Sequence, residues 1–123
     1  MDVFLEQVPG WTRRPLISQI GVSHPLRATS IDALVPEIEQ LTEHGIRYVS
    51  LRRQQLLQLG EHTLQEMLSD AGISVSCVGF AGGFTGSLGL TFDQSLEDTR
   101  KAIEAAADLD ARFLVLLPGE QGL

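Results

Sequence analysis

With 123 residues, 43% of them hydrophobic and 20% charged, the chain is long and apolar enough to bury one sizeable core. Its formal charge of −7, with Lys101 the sole lysine, excludes a phosphate-backbone surface and leaves a small molecule or another protein as the partner, since nucleic-acid binding needs clustered Lys and Arg. No apolar run reaches the roughly 20 residues of a bilayer span, and Met1-Asp2-Val3-Phe4-Leu5-Glu6 lacks a basic segment before a long apolar one, so no membrane partner and a cytoplasmic location are expected.

Residues 1–15 hold Pro9-Gly10, Trp11 and Arg13-Arg14-Pro15 without a hydrophobic period and read as an irregular leader, with the folded part over 16–123. Leu16 to Val22 is the first predicted strand, closed by Ser23-His24-Pro25, where the proline pushes His24 away from helical geometry. Ser30 offers an N-cap. Behind it Ile31, Leu34, Ile38 and Leu41 recur on one helix face, leaving Glu37, Glu39, Gln40 and Glu43 outside the stripe. Gly45 supplies the left-handed stop. Pro36 removes one backbone bond, so either the first turn is distorted or the regular helix starts at Pro36.

Ile46 to Leu51 predicts the second strand, ending in Arg52-Arg53. One helical segment follows, with Leu64, Met67, Leu68 and Ala71 inward and Gly72 as its stop. Ile73 to Val78 is the third strand, and Gly79 to Gly89 reads as a loop whose glycines admit positive φ and close approach to a ligand. Thr91 and Gln94 form a capping-box pattern that opens the longest helix, with Leu96, Ile103 and Ala106 inside and Glu97, Asp98, Arg100 and Lys101 largely outside. Asp110 occupies the stop position that Gly45 and Gly72 hold. Phe113 to Leu117 is an apolar run without alternation, as in a parallel strand covered on both faces. About four strands and three helices therefore alternate in an α/β fold with parallel pairing and right-handed crossovers. Only six residues follow Leu117, too few for a covering helix, so the chain is expected to be the front part of a larger protein.

Ligand groups in such a repeat gather at the carboxyl ends of the strands. His24 after strand one, Arg52 and Arg53 after strand two, Gly82 and Gly83 after strand three and Glu120 after strand four share that rim. Arg52 or Arg53 is suited to a forked grip on a carboxylate or phosphate, or alternatively to pairing with a helix acid. His24 is a candidate base, ligand or donor, or a solvated loop histidine. His44 and His62 belong to helix ends. Cys77, the single cysteine, reads as a small core residue and rules out a disulfide or Cys-pair metal site within the chain. No two glycines are separated by one residue and no Gly-Lys-Ser/Thr step occurs, so dinucleotide and P-loop fingerprints are absent, as is a Gly-x-Ser-x-Gly elbow. A receiver-type signalling domain lacks its acid at a strand end and its late lysine.

Val49-Ser50-Leu51-Arg52-Arg53 after a helix ending in His44-Gly45, Leu68 to Ser76, Gly82-Gly83-Phe84-Thr85, and Asp98 to Ile103 ahead of Leu114 to Gly119 resemble the xylose-isomerase-like sugar phosphate isomerase/epimerase family. The likeness covers residues 16–119. It implies a (β/α)8 barrel of about 250 residues, of which this chain holds four strands. It also implies a sugar or sugar phosphate substrate and a divalent metal held by carboxylates and a histidine at later strands, with proton abstraction beside a carbonyl and the ion stabilising the enediolate. Ser50 stands where many relatives place glutamate. The positions that transfer are Arg52, Arg53 and Gly82-Gly83, with no metal ligands and no catalytic group recognisable in this chain. The expectation is an amino-terminal half that is inactive alone; the alternative is a non-catalytic half-barrel that self-associates through its open sheet edges or binds a small ligand or protein.

Overall fold

Three matching helix stops divide the chain into its units. Gly45 (φ 70°), Gly72 (φ 72°) and Asp110 (φ 52°) each stand two residues past the end of a helix in left-handed geometry. At each, two amides reach back to the last turn: Gly45 N to Thr42 O and Ile46 N to Leu41 O, Gly72 N to Ser69 O and Ile73 N to Leu68 O, Asp110 N to Ala107 O and Ala111 N to Ala106 O. This is the Schellman arrangement, and the residue after each stop is apolar and joins the core. Asp110 does without glycine because a short polar side chain tolerates the left-handed region.

The structure, a computed structural model, describes residues 22–86 and 88–119. The order is β1 (Ser23–Pro25), α1 (Ile31–Glu43), β2 (Tyr48–Arg52), α2 (Arg53–Leu59), α3 (Glu61–Asp70), β3 (Ser74–Gly82), α4 (Phe92–Asp108) and β4 (Phe113–Leu117). All strands pair in parallel in the order β1-β2-β3-β4. A sheet that adds each strand on the same side by right-handed crossovers carries every helix on one face, whereas a doubly wound sheet reverses direction and covers both. Accordingly Leu34, Ile38 and Leu41 of α1, Leu56 and Leu59 of α2, Leu64 and Leu68 of α3, and Ala106 of α4 share one core with Val49, Leu51, Val75 and Val78 of the sheet. No helix of the described residues lies on the other face, which carries Ser23, Tyr48, Ser50, Arg52, Ser76 and Cys77; the register shift in β3 turns Cys77, expected in the core, to this side opposite Ser50, where it is half-buried. This is an α/β fold wound like one half of a (β/α)8 barrel wall. Among the described residues no helix is long and apolar enough to cross a membrane.

Several boundaries differ from the sequence expectation. The leader and Leu16 to residue 21 lie outside the described residues, and the first ladder runs over Ser23–Pro25 rather than through Val22. Pro25 is tolerated because this strand lies at the sheet's edge and the next amide, Leu26 N, takes up the bond to Ser50 O (3.0 Å). Helix α1 begins at Ile31, capped by Ser30 Oγ accepting from Ala33 N, and carries Pro36 inside it. The bond lost at Pro36 would have been accepted by Asp32, an exposed first-turn residue whose carbonyl water can reach. The segment expected as one helix breaks at Gly60 (φ 83°) into α2 and α3, making four helices among the described residues. Strand β3 extends to Gly82 because two register shifts, opposite Val49/Ser50 and at Gly79/Ala81, absorb extra residues and let it continue through glycines expected in a loop.

Helix α4 starts as expected, with Thr91 Oγ1 accepting from Gln94 N and Gln94 Oε1 accepting from Thr91 N. Its buried face is Ser95, Thr99, Ala102 and Ala106, while Leu96 and Ile103 are 47% and 55% exposed. Small side chains let the helix lie close to the sheet: Ser95 is fully buried with Oγ donating to Gly83 O (3.4 Å), and Thr99 Oγ1 donates to Ser95 O (2.8 Å). Asp98 faces α2, so the helical period puts Phe92, Leu96 and Ile103 on the opposite flank, away from α2 and α3. Strand β4 forms as expected, with Phe113, Leu116 and Leu117 exposed among the described residues.

Candidate functional site

The carboxyl ends of β1 to β3 and the turns behind them form a rim held by two polar side chains that the sequence reading leaves unassigned. Glu37 of α1 turns its carboxylate onto the β1–α1 connection, accepting from Arg27 N (2.8 Å) and Ala28 N (2.8 Å) and pairing with His24 Nε2 at 3.2 Å. Gln55 of α2 is fully buried; its Nε2 donates to Leu26 O (2.7 Å) and Ala28 O (3.0 Å), and its Oε1 accepts from Arg52 N (2.9 Å). One amide therefore ties the end of β2 to the turn after β1. Every polar atom of Gln55 that could cost desolvation is matched. Its position three residues after the helix-preceding Arg52 is the third-position slot of a capping box, which is the signal that could have found it.

His24 lies within β1, not behind it, and bonds to α1 on the helix-covered side. Its neighbour Ser23 bonds on the other face, with Ser23 Oγ 2.5 Å from Ser76 Oγ, and Ser76 Oγ donates to Val49 O (3.0 Å). His24 is therefore separated from the open face that Arg52 borders. His44 bonds Gln40 O of its own helix, and His62 pairs with Glu66 one turn on, both at exposed positions.

The adjacent arginines have different surroundings. Arg53 grips Asp98 of α4 with both terminal nitrogens, at 2.5 and 2.9 Å, and approaches Phe80 O at 3.4 Å. The hydrogen bond from Arg53 holds the Asp98 carboxyl below its ordinary pKa, against an opposing effect of partial burial and aided by the charges of Arg53 and Lys101. Arg53 thus follows the alternative expectation, pairing with a helix acid, one expected on the outer face of α4, rather than standing free for a ligand. Arg52 is exposed at the end of β2, next to buried Leu51, which turns it to the open face.

Gly82 and Gly83 serve the approach of β4. At Gly82 (φ 109°) a Cβ would overlap the Leu117 carbonyl oxygen, and Gly83 N donates to that oxygen at 2.7 Å. Phe84 N continues the ladder to Pro118 O (3.0 Å), and a Cβ on Gly83 would meet the Leu88 side chain. Two amides of the expected ligand loop are therefore engaged by the neighbouring strand. Ser87 and Glu120 lie outside the described residues. Among the described residues no three His, Cys, Asp or Glu side chains converge, so a metal held by carboxylates and a histidine does not fit them. Two hollows of about 380 and 370 Å³ lie at the opposite end of the sheet, beside Gly72–Val75 and Gly45–Arg47, away from the rim.

No family model and no curated protein matches the chain. It shares its fold with a longer solved protein. The crystal structure of protein SMc04130 from Sinorhizobium meliloti 1021 aligns over 78% of this chain at 24% identity, with a TM-score of 0.62. The match covers 35% of that protein, so the chain spans about a third of its length. At this identity the likeness speaks to the fold alone.

Proposed function

We propose that the chain supplies the substrate-side wall of a (β/α)8 enzyme of the xylose-isomerase-like, sugar phosphate isomerase/epimerase type, working in the cytoplasm, and that alone it turns nothing over. The winding of the sheet carries this reading. Consecutive parallel strands with all helices on one face leave the other as a lumen wall, and they gather Arg52 and the turns behind the strands at the rim where such barrels bind ligands. In a complete relative a divalent ion would assist proton transfer beside a carbonyl. The described residues bring no ligand set for an ion together, so no ion-dependent step is assigned to them. Their part is to bind and orient: a cation at Arg52 for the anionic end of the substrate, and hydroxyls of Ser23, Ser50 and Ser76 on the wall.

The test is proton exchange followed by NMR in deuterated water, with aldose and ketose phosphates and Mg²⁺ or Mn²⁺. The isolated chain is expected to leave the hydrogen next to the carbonyl unexchanged, while at least one sugar phosphate shifts amides around Arg52. Exchange catalysed by the chain, or a panel that moves no rim amide, refutes the proposal.

A second reading is favoured by the exposed apolar side chains of Phe92, Leu96 and Ile103 on α4 and of Phe113, Leu116 and Leu117 on β4. In it the half-barrel pairs with a second copy. Covering about 400 Å² of such surface would contribute roughly 10 kcal/mol before the costs of association. Light scattering at micromolar concentration distinguishes the two, because a monodisperse monomer excludes self-pairing.

A further inference from the structure

We infer that Arg27 and Arg52 together form a subsite for a phosphate dianion at the rim between β1 and β2. This deepens the proposed function and rests on it only for the organic part of the ligand. The register of β1 and β2 is fixed, with Ser23 opposite Tyr48, His24 opposite Val49 and Pro25 opposite Ser50. The ladder ends at Pro25: Leu26 O and Arg52 N, which would form its next rung, are taken up by Nε2 and Oε1 of Gln55, so one carboxamide holds the turn carrying Arg27 against the end of β2 at Arg52. With a single carboxamide between the two backbones, long arginine side chains from both sides come within the span of one phosphate gripped by two guanidinium groups.

Both positions are locked by the backbone. Arg27 N donates to Glu37, the carbonyls on either side of Arg27 accept from Gln55 Nε2, and Arg52 N donates to Gln55 Oε1. The residues flanking Arg27, Leu26 and Ala28, are buried in the core, as is Leu51 before Arg52, so both arginine side chains are turned outward. Both are exposed, and among the described residues neither has a carboxylate partner, in contrast to Arg53 next door with Asp98. The nearby Glu37 carboxylate already accepts from two backbone amides and pairs with His24. Two like charges held side by side repel one another, in a chain whose formal charge is −7. A dianion placed between them converts that repulsion into two charge-assisted contacts. The preformed backbone means that only the side chains lose freedom on binding.

The experiment titrates the ¹⁵N-labelled full chain with inorganic phosphate, fructose 6-phosphate and fructose at constant ionic strength. Phosphate and fructose 6-phosphate are expected to shift the amides of Arg27, Ala28 and Arg52, and fructose to leave them in place. Arg27→Ala and Arg52→Ala should each weaken binding about tenfold or more, and Arg100→Ala, on the surface of α4, should leave it unchanged. Both variants keep the backbone bonds to Glu37 and Gln55, and unchanged dispersion of the remaining amides checks that they fold. Absence of phosphate-induced shifts, or shifts that survive both arginine substitutions, overturns the subsite. Equal binding of phosphate and fructose 6-phosphate without any proton exchange supports the subsite whatever becomes of the isomerase reading. Binding of fructose alone overturns it.

Discussion

Replacing Gly82 by alanine tests whether the glycines after β3 answer to a neighbouring strand. A Cβ there overlaps the Leu117 carbonyl oxygen, which is also the acceptor for Gly83 N, so the substitution must displace the end of β4. Losing the bonds from Gly83 N and Phe84 N would cost about 0.5–1.5 kcal/mol each. The φ of 109° at Gly82 adds backbone strain of about 1–3 kcal/mol in an L-residue. The expected loss is therefore about 2–6 kcal/mol. Gly89→Ala is the control, because Gly89 has φ 76° with open space around its would-be Cβ and meets only the left-handed penalty of about 1–2 kcal/mol. Urea denaturation of both variants, with hydrogen exchange at Gly83 and Phe84, measures the difference. Equal losses at the two positions, or unchanged protection at Gly83 in Gly82→Ala, would refute the packing argument.

Asp98→Asn should cost about 1 kcal/mol near neutral pH, a value kept small because both partners remain partly in water. A lowered folded-state pKa stabilises the fold above the ordinary carboxylate range near pH 4, and that stability is lost as pH falls through the folded value. The gap between wild type and variant should thus be full at pH 6 and shrink toward pH 3 in urea midpoints; a gap independent of pH contradicts the ion pair. Gln55→Leu leaves Leu26 O, Ala28 O and Arg52 N without their partner and should destabilise by about 3 kcal/mol or more. A melting temperature within a degree or two of wild type would show that these groups find other partners.

Local chemistry made much of the fold legible. Ser30, Thr91 with Gln94, and the stops at Gly45, Gly72 and Asp110 depend on neighbours a few residues away, and each acts in the structure as its residue type predicts. The misreadings arise where a residue answers to something distant. Two apolar stripes compete on α4, and which of them is buried depends on how closely the helix approaches β3; Ser95 and Thr99 admit the closer packing, so Leu96 and Ile103 stay out. Alternation in β3 is reset by its bulges, which hides how far the strand extends. At the rim, the positions of Arg52 and Arg53 are legible, but their different roles depend on Asp98, 45 residues further along from Arg53. Arg27 escapes notice because a strand expected to end at Val22 leaves it far from any strand end, and its link to Arg52 runs through the side chain of Gln55, 28 residues further along.

The repeated helix stop also sets where the chain tolerates a change in length. From the left-handed residue to the next strand is three residues at Gly45–Tyr48, two at Gly72–Ser74 and three at Asp110–Phe113, and each interval has its apolar anchor in the core. One residue inserted there would exchange the two faces of the following strand and send Val49 or Val75 toward the face without helices. The same insertion near Gly86–Gly89 shifts a turn that feeds a helix, where no alternating register has to be kept. A change in length is therefore tolerated best in the turn between β3 and α4, and the ends opposite act as fixed spacers.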